Sequence, residues 1–66
     1  MVNRVKLYRI MKNMRQSDLA AAAGCSQQEI SAIEKGAIVP TVYVALCIAR
    51  ALDKKVDELF ILKEER

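Results

Sequence analysis

Gly24, Gly36 and Pro40 are the only glycines and the only proline in 66 residues, and β-branched residues nowhere alternate with polar ones over a useful length. A chain with so little turn chemistry and no period-two pattern is expected to fold as helices throughout. At this length it forms one domain, residues 1–66, with room for one small core, since such a chain buries only about 60% of its unfolded surface. The chain is 53% apolar and 29% charged, which places it outside the weakly hydrophobic, highly charged regime of disorder.

Apolar spacing and cap residues divide the chain into five helices. The first is expected from about Arg4 to Met14, with Val5, Leu7, Tyr8, Ile10, Met11 and Met14 at three- and four-residue steps. A second, from about Gln16 to Ala23, carries Leu19 and four consecutive alanines, a slim surface suited to close crossing. Gly24 ends it, because glycine accepts the left-handed conformation that follows many helices. Ser26 to Glu29 spell a capping box, so a third helix starts at Gln27 and stops at Gly36. A fourth lies between Pro40 and Leu52, capped by Thr41, with Val42, Val44, Ala45, Leu46, Ile48, Ala49 and Leu52 inward. A fifth runs from about Val56 to Phe60.

Much chemistry is excluded by composition. Histidine is absent and only Cys25 and Cys47 offer soft ligands, so neither a closed zinc site nor a histidine base can be built. No glycine-rich phosphate loop and no nucleophile with a base at a recognisable spacing is present, so no enzyme, cofactor or metal is expected. The longest apolar run, Val42 to Ala49, falls well short of the roughly twenty residues of a membrane helix. With no signal-peptide pattern and few cysteines, reduced thiols and a cytoplasmic location are expected.

The net charge of +3 is unevenly placed. Residues 1–40 hold six basic side chains (Arg4, Lys6, Arg9, Lys12, Arg15 and Lys35) against three acidic ones, whereas residues 41–66 balance at five and five. Two readings stand at this point: a solvated helix face, or an electrostatic footprint for a polyanion.

The pattern Leu19-Ala20, then Gly24, then Ile30 and Ile33 reproduces the spacing of a helix-turn-helix. Ala20 permits close crossing, Gly24 permits the turn, and the isoleucines pin the second helix of the pair with its first residues outward. From Arg9 through Gln16-Ser17-Asp18-Leu19-Ala20, Gly24-Cys25-Ser26-Gln27-Gln28, Ile30-Ser31, Ile33-Glu34-Lys35-Gly36 and Pro40 to Leu52, the sequence resembles the phage repressor and Cro type of helix-turn-helix regulators, the XRE family. The resemblance covers nearly the whole chain. It implies an all-α, compact five-helix, lambda-repressor-like DNA-binding domain in which helices 2 and 3 form the helix-turn-helix.

It also implies a site. The third helix would be the recognition helix, with Gln27, Gln28, Ser31 and Ala32 at base edges; a glutamine amide matches adenine N6 and N7, and a methyl group meets a thymine methyl. Arg15, Gln16, Lys35 and Thr41 would meet phosphates on either side of the groove. Arg9 and Glu34 match a structural ion pair between the first and third helices. The stretch Ala37-Ile38-Val39 departs from the basic or polar loop common in the family, so fewer phosphate contacts are expected there. Cys25 falls at a position usually small and apolar, which implies a buried, inert thiol, while Cys47 falls where a polar residue is common, which implies partial exposure.

The expected partner is double-stranded DNA, read by a transcriptional regulator. The competing class is an antitoxin-like or coactivator-like interaction module that uses the same fold without base readout. Relatives place two recognition helices one DNA turn apart by two-fold symmetry, so a homodimer is expected through helix 4, helix 5 and the C-terminal trio Phe60, Ile61 and Leu62. The rival role for that trio is to cap the chain's own core.

Overall fold

The computed structural model describes residues 2–62. In chain order they form β1 (Val2–Asn3), α1 (Val5–Met11), α2 (Gln16–Ala23), α3 (Gln27–Glu34), α4 (Val42–Leu52), α5 (Val56–Leu59) and β2 (Phe60–Ile61). The five expected helices form, each starting within one residue of the expected position.

The core follows from the spacing of large aliphatic residues. Val5, Leu19, Ile30, Ile33, Ile48, Leu52 and Leu59 are fully buried, one or two from every helix. Between them lie Ala20, Ala23 and Ala49, whose small side chains allow α2 and α4 to approach closely. At about 1.5–3 kcal/mol for each fully buried Val, Leu or Ile, these seven side chains supply the dominant favourable contribution to folding.

Left-handed residues end the first four helices. Gly24 (φ 74°) and Gly36 (φ 78°) do so at α2 and α3, as the sequence indicates. Asn13 (φ 58°) and Asp53 (φ 57°) do the same for α1 and α4, with the Met14 N–H returning to the Arg9 carbonyl and the Lys54 N–H to the Ala49 carbonyl. Because Asn13 already turns the chain, α1 stops at Met11 and not at Met14. Asparagine and aspartate tolerate this conformation better than other non-glycine residues, which lets them end a helix where no glycine stands.

The helical fold carries one addition and three local corrections. β1 pairs antiparallel with β2, Val2 opposite Ile61 and Asn3 opposite Phe60. Two-residue strands show no periodicity, so only the meeting of the two ends of the fold reveals them. Accordingly α5 ends at Leu59, and Phe60 is extended (φ −117°, ψ 109°). On α4, Val42 and Leu46 point outward, 77% and 55% exposed, leaving Ala45, Ile48, Ala49 and Leu52 as its buried positions. Finally, the Ser26 hydroxyl accepts the Glu29 N–H at 3.1 Å, but the reciprocal half of that box is not made.

Candidate nucleic-acid interface

The turn between α2 and α3 aims the site. Gly24 reverses the chain, Ser26 caps α3, and Ile30 and Ile33 bury its inner face. This leaves Gln27 and Gln28 exposed in the first turn, with Ser31 and Ala32 half-buried one turn on. Gln28 and Ala32 are four residues apart and share a face. The side chains of Gln16, Gln27, Gln28 and Ser31 line one shallow groove, bringing the start of α2 beside the start of α3.

Around this groove the remaining site residues take separate positions. Arg15 precedes α2 with its side chain 85% exposed, its Nε 3.3 Å from Asp18 Oδ2. Asp18 Oδ2 also accepts the Arg15 N–H at 2.8 Å and so caps α2. That backbone hydrogen bond, with help from the Arg15 side chain, holds the Asp18 carboxyl below its ordinary value. Lys35 is exposed at the end of α3. Thr41 is exposed, and its Oγ1 accepts the Val44 N–H at 3.2 Å, which occupies an oxygen lone pair and leaves the hydroxyl proton available. Between them Ile38 and Val39 are exposed and apolar.

Arg9 and Glu34 meet as expected. Arg9 Nε donates to Glu34 Oε2 at 2.6 Å and Nη2 donates to Oε1 at 3.3 Å, with the two side chains 10% and 3% exposed. Arg9 Nη1 also donates to the Met14 carbonyl at 2.8 Å. One of the six basic residues of the first forty is therefore neutralised inside the molecule and adds nothing to an outward positive face.

Two residues were not singled out from the sequence. Asn3 accepts the Val5 N–H at 3.2 Å and donates Nδ2–H to the Ile33 carbonyl at 2.8 Å, fastening the start of α1 to the end of α3. Asp18, the acid three residues after Arg15, carried an N-terminal cap signal that was legible in principle. Cys25 is half-buried and not fully buried; burial, then the neighbouring Glu29 and Cys47, push its thiol up. Cys47 is half-buried, in line with the partial exposure expected of it.

A second surface lies on α4 and α5. Val39, Val42, Leu46, Val56 and Phe60 line an apolar cleft. Leu62 is 79% exposed, while Ile61 is half-buried and held in the ribbon. Among the described residues no cluster of three or more His, Cys, Asp or Glu is placed to hold a metal, and no helix is long and apolar enough to cross a membrane.

Comparison with known proteins agrees with this geometry. The chain is 40% identical over 65 residues to an uncharacterized HTH-type transcriptional regulator of Methanocaldococcus jannaschii, covering 98% of both chains. It is 38% identical to the uncharacterized HTH-type transcriptional regulator YgzD of Bacillus subtilis, again over 98% of both. Among solved structures it is similar to the restriction-modification controller protein C.AhdI of Aeromonas hydrophila, with a TM-score of 0.82, 30% identity and 86% coverage of each chain. It is equally similar to the N-terminal DNA binding domain of SinR from Bacillus subtilis, with a TM-score of 0.82, 32% identity, and coverage of 94% of this chain and 91% of that one. The helix-turn-helix family model matches residues 5–59, from the first residue of α1 to the last of α5, and the chain belongs to that family.

Proposed function

We propose that this protein is a sequence-specific DNA-binding transcriptional regulator that places α3 in the major groove. The observation that carries the reading is the single groove formed by Gln16, Gln27, Gln28 and Ser31 at the exposed start of α3, with Arg15 on one side and Lys35 at the far end of the helix. Gln27 and Gln28 offer paired donor and acceptor groups to base edges, Ser31 a hydroxyl, and Ala32 a methyl group. Arg15, Gln16, Lys35 and Thr41 engage phosphates, aided by backbone N–H groups at the starts of α2 and α4. The role is binding and not catalysis, and it is exercised in the cytoplasm.

The DNA-bound form is a homodimer. Its contact is the apolar cleft of α4 and α5, extended by Leu62, and two-fold symmetry sets two copies of α3 about one DNA turn apart. The apolar loop of Ala37, Ile38 and Val39 gives few phosphate contacts, so sequence-independent binding is weak for a domain of this charge. In vitro selection from a random duplex pool tests the reading: enrichment of a palindrome, with affinity falling steeply as salt rises, is the expected outcome. Neither sequence preference nor salt dependence would favour a protein-interaction module instead.

A further inference from the structure

Glu34 ends α3 and its side chain is 3% exposed, yet donors from two other helices converge on it. The Arg9 guanidinium satisfies its charge through Oε2 at 2.6 Å and Oε1 at 3.3 Å. A third hydrogen bond, from Gln16 Nε2 to Glu34 Oε1 at 3.0 Å, is not needed for charge balance. It reaches the one groove residue contributed by α2, whose neighbours there are Gln27, Gln28 and Ser31. A free glutamine side chain samples many rotamers and either orientation of its amide. Tied to a buried carboxylate, Gln16 has one N–H committed, and one N–H and the amide oxygen left.

We propose that Glu34 is a positioning residue for DNA: it holds the Gln16 amide so that the remaining N–H meets a phosphate oxygen. Arg9 has a matching part, since an uncompensated carboxylate beneath Gln16 would repel that phosphate. The guanidinium is itself fixed by its bond to the Met14 carbonyl at 2.8 Å, so one chain of hydrogen bonds runs from α1 through the end of α3 to the start of α2. This inference rests on the reading of the groove as a DNA surface.

The test is a cycle of four proteins, each verified as folded by circular dichroism: the natural chain, Gln16→Ala, Arg9→Met with Glu34→Leu, and the triple variant. Binding is measured on the duplex selected for the natural chain. Gln16→Ala is expected to weaken binding about tenfold in the natural background and by less than about twofold where the pair is gone. Equal losses in both backgrounds, or no loss in the first, overturn the positioning role while leaving DNA binding intact. Failure of the natural chain to bind any duplex overturns the DNA reading itself. A second measurement needs no variant: in the free protein the Gln16 side-chain amide is expected to show a clearly higher order parameter than the side-chain amides of Gln27 and Gln28. Equal mobility of all three amides overturns the proposal.

Discussion

Under the positioning proposal Glu34 serves both stability and recognition, and its removal should be felt first in stability. Truncating it strands the Arg9 guanidinium at 10% exposure with only the Met14 carbonyl as partner. Breaking a buried pair costs about 3 kcal/mol, which in a domain this small lowers Tm by roughly 12 °C or more. Arg9→Met together with Glu34→Leu should recover much of that loss, because it removes both charges and keeps the volume filled. Thermal melts showing no change for Glu34→Ala would mean that the pair is not a stabilising element. The exposed site residues divide differently. Gln28→Ala should weaken binding to the selected duplex by roughly 1–3 kcal/mol and leave random DNA almost unaffected, since an amide at a base edge carries sequence information. Lys35→Ala should weaken every duplex alike and flatten the salt slope. Identical behaviour of the two variants on specific and random DNA would show that α3 is not the reading surface.

Among the elements, helix starts were legible in the sequence and helix ends only partly, for a physical reason. A start is set by local chemistry: Ser26 and Thr41 cap their own helices through bonds to residues three positions on. Ends at Gly24 and Gly36 were equally local, but Asn13 and Asp53 end α1 and α4 with side chains that also occur inside helices. The β1–β2 ribbon and the Asn3 clasp on Ile33 depend on residues far apart in sequence, so no local pattern announces them. For the candidate site, the family resemblance pointed to the residues at the start of α3, whereas the bond from Gln16 to Glu34 spans eighteen positions and no local pattern announces it. Two predictions belong at this scale. At Gly24 an added Cβ meets nothing within 4 Å, so Gly24→Ala should cost only the left-handed strain, about 1 kcal/mol in denaturant unfolding, and a much larger loss would mean a clash. At the start of α2, the depressed Asp18 carboxyl stabilises the folded state above its unfolded value, and this contribution disappears as pH falls through its folded value. Asp18→Asn should therefore flatten the acid limb of the stability profile in that window, and an unchanged limb would remove the cap from the account.

At the scale of the whole molecule, the question is what covers the outer side of α4. A helix packed on one face should show a polar stripe on the other, but α4 presents Val42, Tyr43 and Leu46 at 77%, 74% and 55% exposure, with Val39 at 71% just ahead of it. The C-terminal trio does not close this surface. Phe60 lines one wall of the cleft, Ile61 is drawn into the ribbon opposite Val2, and Leu62 stays 79% exposed. A second copy related by a two-fold axis would cover the patch with its own equivalent, since such a contact is self-complementary. Burying Val39, Val42 and Leu46 from each copy would supply on the order of 10 kcal/mol, against an association cost of roughly 4–15 kcal/mol, so the proposed dimer would be weak by itself and would gain from two copies of α3 engaging one DNA. Sedimentation from low to high micromolar concentration should show the natural chain passing from monomer to dimer. Leu46→Asp and Leu62→Asp should shift it to monomer while preserving the melt, because both side chains already face water in the single chain. Ile61→Asp is the less clean probe, since a charge there strains the ribbon as well as the contact. A natural chain that stays monomeric at high micromolar concentration would leave the cleft without this partner and require each α3 to bind its site alone.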